Sequence, residues 1–215
     1  VLVFANGGAL PECDAERIAG VYRDHLPQTP FALIVSADDA GARRGFFAML
    51  SDSLAFLPPD ATLVVAGALA SHLEVSPQFN RWAGINRART RLLGEVDELT
   101  LAALRRHAQV IVLPRVAWPD DAGADVKTAE ALSDARPVLA TSAAMYGFEA
   151  HAARADVVVE DDPRRFRARL VALLRRGPPA MRTAGSLARW HVTLAGVPAA
   201  VRCEVARLRA EGGRR

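Results

Sequence analysis

The chain has 215 residues, 51% hydrophobic and 24% charged, with a formal net charge of +3, which fits a soluble globular α/β domain of ordinary size with a small appendage. No apolar run approaches the roughly 18 residues of a membrane span. The start, Val1 to Gly8, lacks the initiator Met, basic n-region and cleavage-like site of a signal peptide and reads as a fragment opening mid-strand.

Cys13 and Cys203 lie far apart and read as free thiols in a reducing cytosol. His25, His72, His107, His151 and His191 are scattered without ligand spacing, so no metal is expected.

In chain order, Val1 to Ala5 reads as a short strand closed by the turn signal Asn6-Gly7-Gly8. Asp14 to Leu26 is a short helix and Pro27 to Pro30 a breaker. Phe31 to Ser36 is an apolar strand, and Ala37 to Gly45 a polar loop. The stripe Phe46, Phe47, Leu50, Leu54 and Leu57 predicts a helix over 46–57, stopped by Pro58-Pro59-Asp60. Thr62 to Gly67 is a second unbroken apolar strand. Ala70 to Trp82 reads as helix interrupted at Pro77. Glu98 to His107 is an amphipathic helix with Leu101, Leu104 and Ala108 inward.

Val110 to Leu113 is short, rich in β-branched residues and ended by Pro114, as expected of a buried parallel strand. A polar loop with Pro119, Asp120, Asp121 and Gly123 follows. From Asp125 the residues Val126, Ala129 and Leu132 recur at helical spacing, and Arg136-Pro137 ends the helix before the strand Val138 to Ala140. Thr141 to Glu149 is a loop and Asp156 to Val159 a last strand. Asp162 as N-cap and Pro163 at N1 open a helix reaching Leu174. Residues 177–215 read as one or two peripheral helices.

Strands and helices alternating at this rhythm imply parallel βαβ units with right-handed crossovers, hence one doubly wound, mostly parallel Rossmann-like sheet. Ligands of such sheets sit beyond the carboxyl ends of the strands, near the point where strand order reverses. A nicotinamide dehydrogenase is disfavoured, because no Gly-x-Gly-x-x-Gly follows any strand.

The best clue to chemistry is the stretch from Asp120 to Ser142. The start of its helix offers unpaired N–H groups and a positive dipole end suited to phosphate. Lys127 in the first turn adds a mobile cation, and Glu130, at i+3 from it, can accept from two sugar hydroxyls. A diphosphate flanked by sugars fits that set; a solvated Lys–Glu pair beside an ordinary loop glycine is the bland alternative.

The order "Gly123, three residues, Lys127, two residues, Glu-Ala-Leu, then Arg-Pro-Val-Leu-Ala-Thr-Ser" resembles the donor-binding segment of retaining GT-B glycosyltransferases. The resemblance covers roughly residues 31–176. It extends to a strand ending Val35-Ser36, to Leu63-Val64-Val65-Ala66-Gly67, and to Leu92-Leu93-Gly94-Glu95-Val96, similar to the family's Leu-Leu-Gly-x-Val. Several positions depart from the pattern. Ala37 replaces the first-loop glycine, Ala42-Arg43 stands near a first-loop Asn, and Ala122 stands where a second Glu is common. Asp121-Ala122-Gly123-Ala124-Asp125 stands where relatives without that second Glu show Gly-Gly-Gly-Ser-Asn. Asp120, Asp121 and Asp125 also place negative charge where a diphosphate would dock.

The resemblance implies transfer of a sugar, with retention, from a nucleotide-diphosphate sugar to a saccharide, lipid-linked or protein acceptor, with no cofactor and no metal. Glu130 would take ribose hydroxyls; Lys127, Gly123 and Asp125 would surround the diphosphate or sugar. Gly94 to Val96 would lie along the base, and Ser36 and Arg44, at the two ends of the first loop, would complete the site. Residues 1–30 would then be the end of an N-terminal domain and linker, 31–176 the nucleotide-sugar-binding domain and 177–215 a helical extension, with the rest of an N-terminal domain missing.

The arginines that crowd the last quarter, from Arg164 to Arg215, read as a solvated helix face or as attraction to an anionic membrane surface. Few aromatics interleave them, so nucleic acid is not expected. A cytoplasmic protein, peripheral at the inner membrane face, is consistent with this. The other class of function is a degenerate Rossmann-like module that docks on a partner or membrane without catalysis.

Overall fold

The structure, a computed structural model, describes residues 15–50, 57–83, 87–117, 125–134, 136–154 and 156–176. The expected strand at 1–5, both cysteines, the loop carrying Asp120, Asp121, Ala122 and Gly123, and the helices expected over 177–215 lie outside these residues.

Helix α1 (Ala15–His25) leads to β1 (Phe31–Val35), α2 (Ala40–Leu50), β2 (Thr62–Ala66), α3 (Ala68–Val75), α4 (Pro77–Ala83) and β3 (Thr90–Leu92). Then come α5 (Glu98–His107), β4 (Val110–Leu113), α6 (Val126–Ser133), β5 (Val138–Ala140), β6 (Val157–Val159) and α7 (Pro163–Arg175). The strands form one six-stranded sheet in the order β3-β2-β1-β4-β5-β6, every neighbouring pair parallel. The doubly wound α/β expectation is met.

Successive strand residues point to opposite faces, so a strand covered on both sides must be apolar throughout. Ala32 and Ile34 of β1 face a core with Phe46 and Leu50 of α2, Leu69 of α3 and Phe166 of α7. Phe31, Leu33 and Val35 face the other way, onto Ile18 of α1 and Ala103 and Leu104 of α5. Helix α6 covers β4 and β5 on that second face through Ala129 and Leu132. The α1 segment, expected near the linker, thus packs on the sheet unit, and its Tyr22 ring stacks on His107 of α5 with centroids 3.7 Å apart.

One expectation needs correction, and three features add to the sequence reading. The second helix starts at Ala40 rather than residue 46, because Asp39 caps it, its Oδ1 accepting from the Ala42 N–H at 2.9 Å. Residues 90–92 form an edge strand that their half-exposed Thr-Arg-Leu composition conceals. Val126, at helical spacing from Ala129 and Leu132 as expected, is 38% exposed, since it is the first residue of its helix and the later two reach the sheet. On α5 the buried face includes Arg105 alongside Ala102, Ala103 and Leu104. The break at Pro77 is observed: Ser76 is extended (ψ 121°), ending α3, and Pro77 opens α4.

Candidate functional site

The sheet itself opens the site. The β1–β2 ladder runs from Phe31↔Thr62 to Val35↔Ala66, and β4–β5 reaches Leu113↔Ala140. Between β1 and β4 the pairing covers only Ala32↔Val110 and Leu33↔Ile111. Here strand order reverses, β1 being followed by its neighbour on one side and β4 by its neighbour on the other. Beyond Leu33 and Ile111 lies a cleft lined by Val35, Ser36, Leu113, Arg115, Asp125 and Lys127, among others. Such a reversal is where ligands of doubly wound sheets bind.

Two helices begin at this cleft, and each is capped by an aspartate. Asp39 Oδ1 accepts from the Ala42 N–H and Asp125 Oδ1 from the Lys127 N–H, both at 2.9 Å. Each cap occupies one of the donors that a helix start leaves unpaired. The second oxygens point to one cation: Arg115 Nη1 donates to Asp39 Oδ2 at 2.9 Å and to Asp125 Oδ2 at 3.5 Å.

Arg115 directly follows the Pro114 that ends β4. Its carbonyl accepts from the Thr141 hydroxyl, which in turn accepts from the Ala144 N–H at 3.2 Å. Thr128, fully buried, donates to the Ala144 carbonyl at 2.7 Å and so pins α6 to the loop after β5. The cation is therefore held at its backbone as well as its side chain.

Lys127 and Glu130 share an edge of α6, as their spacing requires. Lys127 Nζ donates to Glu130 Oε2 at 3.0 Å, and Arg105 Nη2, from α5, donates to the same oxygen. Arg105 also lies 3.5 Å from Oδ2 of Asp134, which caps the C-terminus of α6. Glu130 is 16% exposed.

The remaining expected residues divide. Ser36 lines the cleft, its N–H donating to Ala66 O at 3.1 Å. Gly94 sits at the same carboxyl edge but beyond β2, with a left-handed φ of 62° and its carbonyl accepting from the Gly67 N–H at 2.6 Å. Val96 is half-buried and packs into the core beneath α1 and α5. Arg44 lies exposed on α2, away from the cleft lining. Gly123 lies outside the described residues.

Beside the cleft, the Arg43 guanidinium pairs through two bonds with Asp38 and holds its carboxyl below the usual carboxylate range. Burial opposes that shift, and His72, 3.5 Å away, reinforces it. Arg115 and Arg105 were not expected. The available signals were a charged residue two positions after a buried strand and an arginine four residues after Leu101, where an apolar side chain would continue the stripe.

Residues 46–176 match the family described as glycosyl transferases group 1, more than half of the chain. The chain belongs to this family. No curated protein matches it. In shape this group 1 glycosyltransferase domain is similar to Anabaena HepE, solved in complex with UDP and glucose, with a TM-score of 0.61 at 16% identity over 89% of this chain and 53% of that one. It is also similar to sucrose-phosphate synthase from Thermosynechococcus elongatus, with a TM-score of 0.60 at 18% identity over 93% of this chain and 49% of that one. A third likeness is the UDP-forming α,α-trehalose-phosphate synthase of Burkholderia vietnamiensis, TM-score 0.56 at 19% identity, over 91% of this chain and 48% of that one. The chain thus spans about half the length of these proteins. Its parallel Rossmann-like sheet is the fold of GT-B glycosyltransferases.

Proposed function

We propose that this domain is the donor-binding half of a retaining glycosyltransferase that holds a nucleotide-diphosphate hexose in the cleft between β1 and β4. The observation that carries the reading is the meeting of Lys127 and Arg115 at that cleft, with Glu130 paired to Lys127 behind it. Glu130 takes ribose hydroxyls, Lys127 and Arg115 meet the diphosphate, and the backbone of Gly94 to Val96 lies along the base. In the reaction the anomeric C–O bond to the diphosphate breaks, the acceptor hydroxyl oxygen bonds the anomeric carbon in its place, and the hydroxyl proton passes to the departing diphosphate. Negative charge builds on the leaving group, and the two cations stabilise it most at that moment.

Both cations are already paired with carboxylates, so donor binding is an exchange. A diphosphate carries more charge than any one of these carboxylates and competes with them for both cations where solvent is partly excluded. The acceptor, a saccharide, lipid-linked or protein hydroxyl, would be presented by a second domain.

Calorimetry with UDP and GDP tests the reading. One of them binds, and Glu130→Ala weakens it about tenfold, the cost of losing charge-assisted hydrogen bonds. Binding of neither would remove the proposal.

A second reading, docking on an anionic surface without catalysis, draws on the outer face of α7, where Arg164, Arg167 and Arg175 surround Ala168 and Val171 in a shallow groove. It calls for salt-sensitive association with anionic vesicles and no nucleotide affinity. Peripheral placement at the inner membrane face belongs to this reading.

A further inference from the structure

Arg105 occupies a position on α5 where an apolar side chain would continue the helix stripe, and only 7% of its side chain is exposed. A guanidinium so buried is costly unless carboxylates match it. Glu130 on α6 and Asp134, which caps its C-terminus, do so. Lys127 Nζ reaches the same Glu130 oxygen at 3.0 Å from the cleft, with 32% of its side chain exposed. One carboxylate oxygen is thus shared by a cation from the interior and a cation from the cleft.

We infer that Arg105 is a positioning residue of the donor site: by neutralising Glu130 from behind, it lets Lys127 leave that carboxylate for a phosphate oxygen of the donor. The inference rests on the donor-site reading above. If Lys127 were the only cation on Glu130, its transfer to a phosphate would strand a largely buried carboxylate without counter-charge, and phosphate binding would bear that cost. With Arg105 in place, Glu130 stays paired whichever way Lys127 points. Asp134 Oδ2, 3.5 Å from Arg105 Nε, attracts the other side of the guanidinium and opposes its following the lysine outward.

The affinity ratio between a nucleoside diphosphate and its nucleoside isolates the phosphate contribution. Calorimetry on the 215-residue chain would use UDP with uridine and GDP with guanosine, on the parent, Arg105→Met and Arg105→Lys. The ratio falls about tenfold in R105M while nucleoside binding changes little, and R105K restores it. A purely structural role would weaken diphosphate and nucleoside together and leave the ratio unmoved. An unchanged ratio in folded R105M therefore overturns the inference and leaves the donor-site reading standing. If R105M fails to fold, Arg105→Gln is judged by the same ratio. A parent that binds none of the four ligands sinks the donor-site reading and this inference with it.

Discussion

Gly45 of α2 and Pro114 after β4 meet backbone to backbone: a Cβ added at Gly45 would stand 1.9 Å from the Pro114 carbonyl oxygen. Pro114 immediately precedes Arg115, so this approach sets how far α2 stands from the site cation. In Gly45→Ala something must shift, and we expect a loss of about 3 kcal/mol, as for an overpacked core. Urea unfolding measures it; a change below about 1 kcal/mol would mean that the 114–116 segment yields freely.

Thr128→Val keeps the side-chain shape and removes the hydroxyl that donates to the Ala144 carbonyl. A buried acceptor left without its donor costs about 2 kcal/mol. The denaturation midpoint should fall accordingly, with an unchanged denaturant slope. An unaltered midpoint would show that another donor takes the hydroxyl's place.

Arg115→Met leaves the Asp39 and Asp125 carboxylates facing the cleft without the cation that now joins them. UDP affinity should fall about tenfold while uridine affinity stays level. Equal UDP affinity in the variant would reduce Arg115 to a strut between α2 and α6.

Stability should decline on mild acidification. Burial, with Arg136 and Arg106 nearby, pushes His107 below its ordinary 6.5. Burial, with Arg154, does the same for His151. Lowered folded values mean that the unfolded chain binds more protons in this window. The contribution of these two histidines is therefore full above 6.5 and is lost as pH falls through their lower folded values. Midpoints measured across that range should slope, and His107→Gln should flatten part of the slope; an identical slope in the variant refutes the assignment. Asp38 acts lower still, its contribution lost as pH falls from 3.8 through its lowered folded value.

The central strands were readable because a strand covered on both faces must be apolar along its whole length, as Phe31 to Val35 and Val110 to Leu113 are. The edge strand at Thr90 was not, since half-exposed positions tolerate an arginine. Gly41 and Gly45 resemble loop residues in sequence, yet they sit inside α2, where the 114–116 segment presses against them. Lys127 and Glu130 could be paired from spacing alone. Arg115 and Arg105 could not, because Asp39 lies 76 residues from the first and Glu130 lies 25 from the second, and only the folded sheet brings them near.

The parting of β1 from β4 beyond Leu33 and Ile111 is a property of the chain path rather than of any side chain. Replacing Ser36, Arg115 or Lys127 alters what the gap can hold without closing it. On the donor-site reading, such a scaffold can exchange one donor for another by point substitution at the rim, while the ladder beneath keeps the gap open.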